Sequence, residues 1–132
     1  RQNMQQLSSA LRTYFSEDLL SKVLTEDVKR ADSPVIITEG IRRPSDISYL
    51  KDLEGFVLIA LRTDERMRFD RLTKRSENPD DRQKTWEEFQ KDSNAEAEQK
   101  IKDIAALAQY SIENNGDLED LYMQIDKIVE KL

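Results

Sequence analysis

Apolar residues at Met4, Leu7, Leu11 and Phe15 recur at helical spacing, so the chain opens on an amphipathic helix. A second helix is expected from Ser16, with Glu17 and Asp18 in the first turn, where the helix dipole favours acids. Its apolar face is Leu19, Leu20, Val23, Leu24 and Val28, and Pro34 ends it. Val35-Ile36-Ile37-Thr38 is β-branched throughout, and so short an unalternating run reads as a strand buried on both faces. After Glu39-Gly40, Ser45 caps a short helix carrying Ile47, Tyr49, Leu50 and Leu53, which Gly55 stops. Phe56–Leu61 reads as a second buried strand, and Thr63 or Asp64 caps a helix from Glu65 to about Arg75.

A polar loop, Ser76 to Asp81, has the residues of a turn. Lys84 to Gln109 is largely helical, with a break near Ser93-Asn94. Trp86 and Phe89 lie on it as an exposed pair that packing or a partner surface could use. Tyr110-Ser111-Ile112 is a third strand and Asn114-Asn115-Gly116 turns the chain. Asp117 then caps a last helix with Leu118, Leu121, Tyr122, Ile125, Ile128, Val129 and Leu132 on its stripe. Apolar strands alternating with helices imply an α/β/α sandwich with a parallel sheet, in one domain over residues 1–132. Three strands are few for such a sheet, and an exposed parallel edge is a liability.

Composition narrows the chemistry. The 132 residues contain no Cys and no His, which excludes thiol nucleophiles, cysteine zinc sites and His-based triads within this chain. With only three Gly, at 40, 55 and 116, no glycine-rich phosphate loop can form. The longest apolar run has six residues, Phe56 to Leu61, so no membrane span and no membrane partner is expected. The lack of Cys is compatible with a reducing compartment, and the expected location is cytoplasmic. The net charge of −6 is uneven: residues 76–132 hold 7 basic and 15 acidic side chains, whereas Arg62 to Arg75 holds six basic and three acidic. One short basic segment in an acidic chain disfavours nucleic acid and suggests a local anion site.

Two places could carry chemistry. Glu39, Gly40 and Arg42 follow a predicted strand, where ligands of open α/β sheets bind, although Glu39 could equally pair with Arg42. Arg68, Arg71 and Arg75 fall at i, i+3 and i+7 on one helix face. Guanidiniums crowded there repel unless an anion such as phosphate, or carboxylates such as Asp64, Asp70, Asp80 and Asp81, accompanies them.

The series Val35-Ile36-Ile37-Thr38-Glu39-Gly40-Ile41-Arg42, Leu58-Ile59-Ala60, Arg68-Phe69-Asp70-Arg71-Leu72-x-x-Arg75, Asp80-Asp81, Thr85-Trp86-Glu87-Glu88-Phe89-x-x-Asp92 and Ile104-Ala105-x-x-Ala108-x-Tyr110-x-Ile112-x-Asn114 resembles one group in order and spacing. That group is the P-loop small-molecule kinases near dephospho-coenzyme A kinase and the (deoxy)nucleoside monophosphate kinases, above all a poorly characterised archaeal and bacterial branch. The resemblance implies a three-layer α/β/α sandwich, P-loop NTPase-like, with a five-stranded parallel sheet. The first strand and P-loop are absent from this chain. It implies substrate-side helices at 1–32, core at 33–75, a lid region at 76–92 and core at 93–132. It places Arg12, Glu39 and Arg42 at the phosphate acceptor, Arg71, Arg75 and Arg82 as catalytic groups, Asn114 at the ATP adenine, and Mg2+ near Glu39. The implied activity is ATP-dependent phosphoryl transfer to a nucleoside monophosphate or dephospho-coenzyme A type of acceptor. Its partners are that small molecule, the missing N-terminal P-loop segment, and a second copy of the chain if the exposed sheet is covered by dimerisation. The alternative is a non-catalytic protein-interaction module derived from a kinase fold. For the sheet, the expectation is that the Val35 and Phe56 strands stand apart around a missing strand or collapse onto each other.

Overall fold

A parallel pair of strands organises the C-terminal part of the chain, and the fold is mixed α/β. The structure, a computed structural model, describes residues 2–75, 81–93 and 96–132. The chain forms two units, Arg1–Phe56 and Val57–Leu132.

The first unit holds helices α1 (Gln2–Tyr14) and α2 (Leu19–Arg30), followed by single 3-10 turns at Pro44–Ile47 and Leu50–Asp52. α2 begins after Asp18 rather than at Ser16. It packs against the two turns with Ser21 and Thr25, which are buried, and leaves Leu20 and Val23 exposed. The cause is a partner distant in sequence: the Tyr49 N–H donates to Ser21 Oγ at 3.1 Å, so a small hydroxyl both satisfies a backbone donor and lets the turn approach. Ile47 and Leu50 supply the apolar burial. The expected strand at Val35–Thr38 does not form, and Ile37 is 87% exposed. β-branching favours an extended chain, but a strand needs a neighbouring strand for its N–H and C=O groups, and none stands beside this run among the described residues; the Val35 carbonyl accepts instead from Ser33 Oγ at 2.9 Å. Among the described residues the sheet holds two strands, Ile59–Arg62 and Tyr110–Glu113, and Val35–Thr38 is not one of them.

The second unit runs β1 (Ile59–Arg62), α3 (Glu65–Arg75), a 3-10 turn (Asp81–Gln83), α4 (Trp86–Ser93), α5 (Glu96–Ala105), β2 (Tyr110–Glu113) and α6 (Leu118–Val129). β1 starts three residues later than the sequence suggests and pairs with β2 in register Ile59 with Tyr110 through Arg62 with Glu113. Ala60, Phe89, Ile104, Ile112 and Ile128 are buried. A reciprocal capping box opens α4: the Thr85 N–H donates to Glu88 Oε2 at 2.8 Å and the Glu88 N–H to Thr85 Oγ1 at 3.2 Å. Trp86 and Phe89 are no exposed pair. Phe69 of α3 meets both edge-on at 5.4 and 5.6 Å, and the two stack at 5.5 Å, which ties α3 to α4. Of the described residues, no helix is long and apolar enough to cross a membrane.

α6 carries two apolar faces. Leu121 and Ile128 face inward, while Leu118, Tyr122, Ile125 and Val129 on the helix and Leu132 just past its end, spaced alternately by four and three, are exposed. Adjacent residues should therefore differ sharply. Ile128→Ala is expected to cost about 2–4 kcal/mol by urea denaturation. Val129→Ala, at 61% exposure, should change stability by less than about 0.5 kcal/mol. Equal losses would show that the two faces are misassigned.

Candidate functional site

In the first unit the chemistry converges on a carboxylate that pattern reading passes over. Asp46 is buried, and its Oδ1 accepts from Arg12 Nη2 at 2.6 Å. Its Oδ2 accepts from the main-chain N–H of Arg42 at 2.9 Å and of Arg43 at 3.0 Å. Arg12, itself 8% exposed, donates Nη1 to the Glu17 carbonyl and to Ser45 Oγ at 3.5 Å. Arg43 Nη1 reaches Glu17 Oε1 at 3.1 Å. One buried ion pair thus ties the last turn of α1 to the loop over residues 41–46. Gly40 turns that loop at φ +81°, a left-handed conformation that side chains disfavour.

The structure brings Arg12 and Arg42 together around Asp46, but differently from one another. Arg12 is enclosed. The Arg42 guanidinium is exposed and, among the described residues, has no partner; the same holds for Glu39, so these two do not pair. Among the described residues no three His, Cys, Asp or Glu side chains gather to hold a metal ion. A lone Glu39 suits only Mg2+ that arrives with substrate phosphates and keeps most of its waters, as Mg2+ commonly does.

In the second unit the carboxyl ends of β1 and β2 are knitted together. The Asp64 N–H donates to Asn115 Oδ1 at 2.9 Å, and the Asn114 N–H to the Arg62 carbonyl at 2.7 Å. Arg71 Nη1 donates to the Asn114 carbonyl at 2.7 Å and Nη2 to the Gly116 carbonyl at 3.3 Å. A Cβ at Gly116 would run into the Asp120 side chain. Asp117 caps α6 by accepting from the Asp120 N–H at 3.0 Å. Arg71, Asn114, Gly116, Asp117, Leu118 and Leu121 line an open depression of about 700 Å³. Arg71 and Asn114 therefore meet.

Other arginines of α3 meet rings and acids of their own unit. Arg68 lies 5.6 Å from the Phe89 ring centre and 3.9 Å from Glu65, while Arg66 covers Phe69 and Trp86 and pairs with Asp70 at 3.5 Å. Arg75 ends α3 and Arg82 lies in the 81–83 turn, both exposed. Asp81 is buried, and Asp80 with the rest of 76–80 lies outside the described residues.

The chain matches no family profile. It is similar along its whole length to archaeal proteins. One is the UPF0200 protein TK1334 of Thermococcus kodakarensis, 26% identical over 137 residues, covering 100% of this chain and 73% of the relative. The UPF0200 protein of Staphylothermus marinus is 29% identical over 133 residues, covering 99% of this chain and 68% of the relative. The UPF0200 protein MJ1399 of Methanocaldococcus jannaschii is 29% identical over 135 residues, covering 99% and 66%.

A polar contact beside α2 gives a pH signature. The Ser16 hydroxyl, and after it the Tyr49 hydroxyl, hydrogen-bond the Asp18 carboxylate and hold its pKa below the ordinary value, while the Asp18 charge raises that of Tyr49. A lowered carboxyl pKa contributes stability above the unfolded-state value, lost as pH falls through the folded-state value. The raised Tyr49 contributes below its unfolded-state value and loses that as pH rises through the folded one. Carboxyl NMR titration of Tyr49→Phe should move the Asp18 midpoint up, yet leave it below the ordinary value because Ser16 remains. An unmoved midpoint would remove Tyr49 as a donor.

Proposed function

We propose that, in the full-length protein that also carries the P-loop segment, this chain takes part in ATP-dependent phosphoryl transfer to a nucleotide-like small molecule, of the nucleoside monophosphate or dephospho-coenzyme A type, within a P-loop NTPase-like sandwich larger than the described sheet. The observation that carries this reading is the pocket beside the carboxyl ends of two parallel strands, where Arg71 and Asn114 meet. Open α/β sheets bind ligands at that end. Two acids, Asp117 and Glu119, line the pocket, and the Nη groups of Arg71 are engaged by carbonyls. Such a lining suits the base and ribose of a nucleotide, which bring their own donors, better than its phosphates. Arg71 in this reading holds the 114–116 loop, and Arg75 and Arg82 are the cations for the transferred phosphoryl group. Arg42 serves the acceptor phosphate, with Glu39 beside it for Mg2+. ATP supplies the phosphoryl group. Transfer of this kind rests on positioning and charge stabilisation, for which arginine forks are suited.

The second reading, a non-catalytic interaction module, draws on the exposed 4-3-4-3 stripe of α6. Coupled ADP-release assays of the full-length protein, P-loop segment included, with nucleoside monophosphates and dephospho-coenzyme A decide between them. Turnover supports the kinase. No turnover with any acceptor, together with association that Val129→Lys abolishes, supports the module.

The two arginines of α3 should separate kinetically. Arg75→Ala is expected to lower kcat by about a hundredfold, roughly 3 kcal/mol of barrier. Arg71→Ala should instead raise the ATP KM with kcat nearly kept, because it loosens the loop rather than the reacting group. Unchanged kcat in Arg75→Ala would remove that residue from the reaction.

A further inference from the structure

We infer that Asp46, locked in place by Arg12, is a positioning residue: it fixes the backbone from which Arg42 presents its guanidinium to the acceptor phosphate. The inference rests on the reading of Arg42 given above and adds to it the device that makes Arg42 effective.

The geometry separates the two ends of Arg42. At its base, the N–H is held by a buried carboxylate at 2.9 Å, and the next N–H by the same oxygen at 3.0 Å. At its tip, the guanidinium is exposed and without a partner among the described residues. A long side chain on a loose loop loses much freedom when it binds an anion, whereas a backbone already fixed loses less. The carboxylate keeps this position because its other oxygen receives Arg12 Nη2 at 2.6 Å, a charge-assisted bond between side chains that are 6% and 11% exposed. Arg12 is anchored in turn on the Glu17 carbonyl. The neighbouring Arg43 is drawn to Glu17 Oε1, so of the two consecutive arginines only Arg42 points a free head outward. Arg12 then acts on the acceptor through Asp46 and Arg42 and touches no substrate itself.

A double-mutant cycle tests this. An amide has one acceptor oxygen, so Asp46→Asn cannot serve both Arg12 and the two backbone N–H groups. Binding of adenosine monophosphate to the full chain is followed by calorimetry, with amide hydrogen exchange at Arg42 and Arg43. Arg42→Ala and Asp46→Asn should each weaken binding about tenfold, and the double variant should be no weaker than either, since both act through one group. Exchange at both amides should quicken in Asp46→Asn, and Asp46→Glu should restore most of the affinity. If Asp46→Asn does not fold, Arg12→Lys loosens the same clamp and should show the same non-additivity with Arg42→Ala. Additive losses, or wild-type affinity in Asp46→Asn while Arg42→Ala binds weakly, would overturn the positioning role and leave Arg42 at the acceptor. Unchanged binding in Arg42→Ala would overturn both.

Discussion

Parallel strands cannot be joined by a tight hairpin, so nothing local sets their register. Among the described residues α3, α4 and α5 lie between β1 and β2, and side chains that serve backbone groups bracket the pairing. Gln109 Oε1 accepts from the Leu58 N–H at 2.7 Å where the pair begins, and Asn115 Oδ1 accepts from the Asp64 N–H where it ends. On β2, Gln124 both accepts from the Glu113 N–H and donates to its carbonyl, each at 2.9 Å, as a neighbouring strand would. The sheet, the loop at its carboxyl end and the placement of α6 follow from these amides. The pocket lies beside that end because Arg71 completes the same set of contacts.

The first unit obeys the same constraint with different residues. Its loop and turns have few regular partners, so buried side chains satisfy them: Ser21 for Tyr49, Asp46 for Arg42 and Arg43. Among the described residues of this unit the buried polar side chains, Arg12, Ser21, Thr25 and Asp46, outnumber the buried apolar ones, Ile47 and Leu50. A network of this kind fixes geometry rather than adding much net stability, since ion pairs taken from water gain little over an apolar replacement. A loop that must present one arginine in one orientation needs that kind of support.

Several helix termini were legible because their signals are local, whereas α2 starts at Leu19 rather than Ser16 and the turn expected after Ser45 starts at Pro44. Glu65–Arg75 is found where its cap and charges put it, Asp117 caps α6, and Gly55 takes φ +74° after a short turn. The parallel pairing of the second and third apolar runs follows from their lack of alternation. What was not legible depends on distant partners. Val35–Thr38 has the composition of a strand and no described neighbour to make it one. The buried face of α2 runs through Ser21, whose hydroxyl meets a backbone donor from a later turn, and through Thr25, whose buried hydroxyl has no such partner. Asp46 differs in no local respect from the other acids of the chain; only the folded loop identifies it. Of the proposed site residues, Arg71 and Asn114 meet as neighbours, and Arg12 and Arg42 do so through that unforeseen carboxylate.

The arginines show why spacing alone does not define an anion site. Arg68, Arg71 and Arg75 share a helix face, and like charges there need neutralising. Neutralisation comes in several forms, however. Arg68 lies against the Phe89 ring and near Glu65, while Arg71 donates to two carbonyls. A π face or a pair of carbonyls lowers the repulsion as an anion would, so the stripe needs no single shared ligand. A better criterion joins two conditions: a backbone held in place and a guanidinium left without an internal acceptor. Arg12 meets the first condition and fails the second. Arg42 meets both, and it does so through Asp46, a carboxylate that holds its main-chain N–H and leaves its guanidinium unengaged.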